Sequence, residues 1–231
     1  MKIRLKFAKN GNLRFLGHLD IMRTFQKVNR RAGIDIAYSG GFSPHQEMSF
    51  ATPLGVGLTS TGEYVDFIMN SVPSKAEFID RINRASVPEL RILDACLLPD
   101  DAKNAMALLW AADYTLSFRE GHEPKDIDAF YDALFSFLSA DELPVEKETK
   151  KNTVTVDLKK QIRVIERRGN DLFMRVDTGS ASNLKPELLL ESFAKATGRV
   201  FDPLMFRINR DELYGEEGGK EKALIEYGTE W

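Results

Sequence analysis

The chain has 231 residues, a formal net charge of −3, three histidines and one cysteine, Cys96. A single cysteine excludes an internal disulfide, a cysteine-ligated iron–sulfur cluster and a four-cysteine zinc site built by this chain alone, while a hydrophobic fraction of 43% is enough for real cores. The charge is uneven, +6 over residues 1–50 and −9 over the rest, so the near-neutral total leaves room for a polyanionic partner at the N-terminal part.

Residues 2–8 alternate between Ile3, Leu5, Phe7 and Lys2, Arg4, Lys6, the pattern of a half-buried strand with a basic outer face. Residues 18–32 read as a helix stopped by Gly33. On it Ile21, Phe25, Val28 and Ala32 share an apolar face, and Arg23, Lys27, Arg30 and Arg31 gather within about 100° on the opposite side. A short strand is expected at 34–38, then a loop from Ser39 to His45 rich in Gly, Ser and Pro. Residues 48–51 and 62–69 read as strands, 74–85 as a helix opened by a Ser74/Glu77 capping box, and 89–98 as a strand. The order is β-α-β-β-α-β.

Pro99-Asp100-Asp101 starts a polar break. Beyond it, 112–119 reads as a strand and 124–139 as an amphipathic helix whose Phe and Leu residues face a core. Residues 144–149, 153–158, 162–167 and 171–177 alternate like a meander, 186–197 reads as a helix with Pro186 in its first turn, and 203–210 is a last strand. The expected fold is therefore α+β, two tandem ferredoxin-like units with antiparallel sheets. The units cover 1–99 and 106–214, followed by a flexible tail at 215–231. No apolar run approaches the roughly 20 residues of a membrane span, and Met1–Phe7 does not read as a signal peptide, so a cytoplasmic protein without membrane contact is expected.

The runs Arg14–Arg23, Arg30-Arg31-Ala32-Gly33, Tyr38–His45 and Ser49–Gly57 resemble the bacterial radical SAM-linked domain of unknown function. That domain occurs alone, fused to, or encoded beside a B12-binding-type radical SAM protein. The resemblance implies a radical SAM partner and carries over no established activity. A weaker likeness, of architecture only, is to the ferredoxin-like endoribonucleases that process CRISPR repeats.

Four cations on one helix face can neutralise backbone phosphates, or can be a solvated surface. With Arg4 and Arg14 they form the expected nucleic-acid contact set Arg4, Arg14, Arg23, Lys27, Arg30 and Arg31, joined by Phe42 as a base-stacking ring and by His45. Imidazole suits proton transfer near neutrality, which makes His45 and His18 the catalytic candidates; a capping or packing role is the alternative for His18. Gly55-Val56-Gly57 offers backbone N–H groups to an anion or is a plain turn. No metal or cofactor site is expected, and Cys96 reads as a buried small hydrophobe. The expected function is an accessory protein that binds RNA, or another polyanion, and presents it to a radical SAM enzyme. The alternatives are an RNA-processing or RNA-modifying enzyme using a loop histidine, and a protein–protein adaptor without nucleic-acid contact.

Overall fold

The computed structural model describes residues 1–148 and 153–231. It is a mixed α+β chain with mostly antiparallel strands and five α-helices among the described residues. The chain divides into two compact units, residues 1–111 with 209–231, and residues 112–208.

In the first unit, in chain order, stand β1 (Lys2–Lys9), α1 (His18–Arg31), β2 (Met48–Phe50), β3 (Thr59–Ile68), α2 (Lys75–Ala85), β4 (Leu90–Leu98) and the short α3 (Ala105–Leu108). β1 pairs antiparallel with both β3 and β4, and β2 pairs antiparallel with β3. Ile3, Leu5 and Phe7 of β1 and Val65 and Phe67 of β3 meet Phe25 of α1 and Phe78 of α2 in one buried cluster. Phe25 stands edge-on to Phe7, Phe50 and Phe67 at centroid distances of 4.9, 5.6 and 6.0 Å. Gly33, at φ 64°, ends α1 in a conformation that a side chain would strain. Ser74 caps α2 by accepting from the Glu77 amide. The Glu77 carboxylate does not return the bond; it pairs with Arg81 one turn on. The segment expected as a strand at 34–38 forms only isolated bridges, Ile36 with Met69 and Tyr38 with Gln46.

The second unit contains the main part of β5 (Leu109–Phe118), α4 (Ile127–Leu138), the hairpin β6 (Pro144–Glu148) and β7 (Thr153–Asp157), then β8 (Ile162–Arg168), β9 (Asp171–Asp177) and α5 (Pro186–Ala196). β9 lies between β5 and β8, whereas β6 and β7 pair with each other as a separate sheet among the described residues, so the expected meander is interrupted. Thr149, expected to end β6, lies outside the described residues. Phe130, Tyr131, Leu134 and Leu138 of α4 are buried, as the helix pattern requires.

The C-terminal residues depart furthest from the sequence reading. The last strand, β10 (Phe206–Glu217), runs seven residues past its expected end at 210, and β11 (Lys220–Ala223) folds back on it. β10 pairs in parallel with β3 at Asn209/Thr59 and Arg210/Ser60. Residues 209–231 therefore belong with the first unit, neither with a unit ending at 214 nor with a flexible tail. The reason is burial: Leu224 is fully buried, Thr229 bridges Leu97 of β4, and the Trp231 indole N–H donates to the Pro73 carbonyl at 2.9 Å.

Candidate functional site

Two features of the first unit have the chemistry of a site. One is the outer face of α1 with the loop beside it. Arg23, Lys27, Arg30 and Arg31 are all exposed. Arg23 pairs with Asp20 one turn back at 3.4 Å. No acid reaches Lys27, Arg30 or Arg31 among the described residues. Arg30 and Arg31 also sit in the last turn of α1, where the helix dipole favours a cation.

The loop from Ser39 to His45 is tied at its base. The Ser39 amide donates to the His45 carbonyl at 2.9 Å, the His45 amide donates to Ser39 Oγ at 3.1 Å, and the His45 Nδ1 lies 2.8 Å from the same oxygen. Gly41, at φ 95°, makes the reversal. Phe42 stands at the tip with its ring fully in solvent. Next to the base, buried Gln46 donates to the Gln26 carbonyl at 3.2 Å and accepts from Asn29 Nδ2 at 3.0 Å, which fastens the loop to α1. Gln26 lies on the border between the apolar and basic faces of that helix. The sequence places Phe42, His45 and the helix cations in separate segments; Gln46 brings those segments together.

The second feature is a small cavity at the start of α1, about 20 Å³ and lined by Phe7, Lys9, His18, Phe50, Thr52 and Glu63, among others. The His18 ring packs edge-on to Phe50 at 5.1 Å. Lys9 is 2% exposed and donates to the Leu16 carbonyl at 3.0 Å; burial lowers its pKa, opposed by the nearby Glu63 carboxylate. Glu63 is itself held by Arg210 in a buried bidentate pair at 2.8 and 2.6 Å.

Lys9, Glu63 and Arg210 were not singled out by the sequence reading as a group, yet a signal exists. Lys9 is in phase with Ile3, Leu5 and Phe7, Glu63 with Val65 and Phe67, and Arg210 with Phe206 and Ile208. Each is a charge at an apolar-phase position of its strand.

The expected basic outer face of β1 does not exist as a free surface, which corrects the assignment of Arg4 to a nucleic-acid contact. Arg4 is fully buried and forms a bidentate pair with Asp66 at 2.7 and 3.0 Å, and it donates further to the carbonyls of Leu224 and Lys103. Lys2 donates to the Ala102 carbonyl and to Asn104, and Lys6 pairs with Glu212. These partners come from 66–224, and they cover the face that the alternation of β1 left polar. Arg14 is half-buried, with its guanidinium 4.8 Å from the centre of the Phe15 ring.

His18 and His45 lie apart. Gln46 holds its loop against Gln26, and eight residues of helix separate Gln26 from His18, about 12 Å along the axis. The Gly57 amide donates to the Arg14 carbonyl at 2.7 Å, so the Gly55–Gly57 patch is a turn with that donor already used. Cys96 is buried, and burial pushes its thiol up to about 11. Among the described residues no cluster of three metal-ligating side chains occurs, and no helix is long and apolar enough to cross a membrane.

Residues 2–186 match the profile of a family described as an uncharacterized protein conserved in bacteria, DUF2344. The chain belongs to that family. No curated protein matches it. Among solved structures, a chain in the crystal structure of a Cbf5-Nop10-Gar1 complex is 11% identical, with a TM-score of 0.43 over 91% of this chain. This chain spans 48% of the length of that one. The matched stretch of the DUF2344 chain holds α1, the 39–45 loop, Lys9, His18 and Glu63. Arg210 and Leu224 lie past its end, yet they complete the buried pairs of Glu63 and Arg4.

Proposed function

We propose that this DUF2344 protein is an RNA-binding accessory protein that engages unpaired RNA through the outer face of α1 and the Ser39–His45 loop. The observation that carries this reading is the pairing of unpartnered Lys27, Arg30 and Arg31 with a fully exposed Phe42 on a loop that Gln46 fastens to the same helix. Cations neutralise phosphates, and an exposed aromatic ring accepts an unstacked base. The antiparallel order β4-β1-β3-β2 of the first unit supports a ferredoxin-like, split βαβ module; in the second unit β9 between β5 and β8 supports the same module with the β6–β7 hairpin inserted. The partner is proposed to be a radical SAM enzyme, on the resemblance of the Arg14–Gly57 runs. One cysteine leaves this chain without the three-cysteine motif of such an enzyme, so radical chemistry would reside on the partner.

The enzymatic alternative rests on His45, whose Nδ1 faces Ser39 and whose loop lies far from His18. Nothing in that arrangement supplies a second acid or base. Fluorescence anisotropy with a labelled single-stranded RNA and a duplex of the same sequence tests the proposal. Lys27→Glu with Arg30→Glu is expected to weaken both by about tenfold or more. Phe42→Ala is expected to cost about 1–3 kcal/mol on the single strand and little on the duplex. No RNA affinity in the wild-type chain, or affinity indifferent to these variants, overturns it.

A further inference from the structure

We propose that the cavity walled by α4, α5 and residues 199–206 of the second unit is a binding site for a small aromatic carboxylate, separate from the RNA face. Its body is apolar. Phe130 of α4, Leu190, Phe193 and Ala194 of α5, and Met205 and Phe206 line it. The rings of Phe193 and Phe206 stand 5.5 and 6.0 Å from that of Phe130, so three aromatic rings wall one space. The volume is about 160 Å³, whereas packed interiors rarely leave a void larger than a water. A space of about 150 Å³ between Leu and Phe side chains takes one benzene ring, so size and wall chemistry together select a single six-membered ring.

The mouth supplies the charge. Gly198, at φ 67°, ends α5, and the Arg199 amide donates back to the Ala194 carbonyl at 2.9 Å, which fixes Arg199 against the cavity wall. Its side chain is exposed, its guanidinium lies 5.6 Å from the centre of the Phe193 ring, and it meets no carboxylate among the described residues. A guanidinium so placed offers a planar pair of N–H donors to a carboxylate carried on a ring inside. Asp202 is the acid of the lining, and both of its oxygens are engaged: Oδ2 lies 2.9 Å from His122 Nδ1, and Oδ1 accepts from the Leu204 amide at 2.8 Å. Asp202 holds the rim together and leaves Arg199 as the unmatched charge of the lining among the described residues.

Val200, 92% exposed at the mouth, extends the apolar wall outward beside Arg199. The ligand is therefore a ring joined to its carboxylate by a short chain, whose methylene groups lie against Val200. A charge among the phenylalanines would be costly; at the mouth it keeps its water and still reaches Arg199.

NMR titration of the full-length, isotopically labelled chain tests the site, with phenylpropanoate, its neutral amide phenylpropanamide and ring-free propanoate as probes at constant ionic strength. Saturable shifts at the amides of Phe193, Ala194, Arg199 and Val200 are expected with phenylpropanoate, a dissociation constant about fivefold higher with the amide, and no saturable shift with propanoate. Arg199→Gln is expected to bring phenylpropanoate down to the affinity of the amide while leaving the amide unchanged, a result that loss of the fold would not give. Ala194→Leu, which places a side chain in the space of the ring, is expected to abolish the binding of both. Where Ala194→Leu does not fold, Arg199→Gln and the wild-type series decide. Absence of saturable shifts in the wild type, equal affinity for phenylpropanoate and its amide, or full affinity in a folded Ala194→Leu chain would overturn the proposal. Equal affinity would make the pocket a seat for an uncharged apolar side chain instead. Lys27→Glu with Arg30→Glu is expected to leave this titration unchanged, so the site and the RNA face stand or fall separately.

Discussion

Arg4 and Arg30 carry the same guanidinium and both lie in the basic first fifty residues, yet they do unlike things. Arg30 is solvated on α1 and available to a partner. Arg4 is inside, with Asp66 accepting two of its hydrogen bonds and the backbone of Leu224 and Lys103 accepting two more. Asp66 also accepts from the Ala105 amide at 2.8 Å, so the pair fastens β1, β3 and the start of α3 together. Removing one member of a buried pair strands the other charge. Arg4→Met is therefore expected to destabilise the chain by about 3–5 kcal/mol in urea unfolding, and combining it with Asp66→Leu to recover most of the loss. Equal destabilisation by the single and double variants would show that the arginine packs rather than pairs.

At the scale of elements, the C-terminal return from β10 to Trp231 decides what the first sheet exposes. It supplies Glu212 to Lys6, the Leu224 carbonyl to Arg4 and a cover for Cys96. A Cβ added at Gly228 would come 2.6 Å from the Cys96 sulfur and 2.6 Å from the Leu97 carbonyl oxygen, closer than atoms pack. Gly228→Ala is expected to lift this segment from β4 and open Cys96, which is buried in the wild type, to a thiol reagent under native conditions. A variant as unreactive as the wild type would mean that the segment accommodates the methyl group and that its packing does not guard the thiol. The same return explains the misread tail. Its Gly, Glu and Lys composition suggests disorder, but Leu224, Tyr227 and Trp231 are spaced through it and each finds the first unit.

For the whole molecule, the uneven charge means less than its sum suggests. Of the nine cations in residues 1–50, four are held by partners inside the fold: Arg4 by Asp66, Lys6 by Glu212, Lys2 by Ala102 and Asn104, Lys9 by Leu16. Lys27, Arg30 and Arg31 remain on one helix face without a partner among the described residues. If these three make the phosphate contacts, the affinity for single-stranded RNA is expected to fall with salt at a log–log slope of about −2, as three neutralised phosphates give. A slope of about −4 or steeper, measured by anisotropy over a salt series, would mean that cations outside α1 take part.

The sequence by itself determined the elements whose signal is local: the alternation of β1, the two-faced α1 with its Gly33 stop, the Ser74 cap of α2, Pro186 opening α5, and the exposed Gly-rich loop. Periodicity and capping act within a few residues, so they are legible without a fold. It also named Phe42, His45 and the α1 cations, whose exposure follows from helix phase and loop composition. Only the tertiary structure decided which charges are free. Whether Arg4 meets solvent depends on Asp66 and Leu224, 62 and 220 residues away, and whether Lys9 faces a cavity depends on where Glu63 and Arg210 arrive. A charged side chain reads the same in a sequence whether water or a distant carboxylate solvates it, and that choice is made by the pairing of strands remote along the chain.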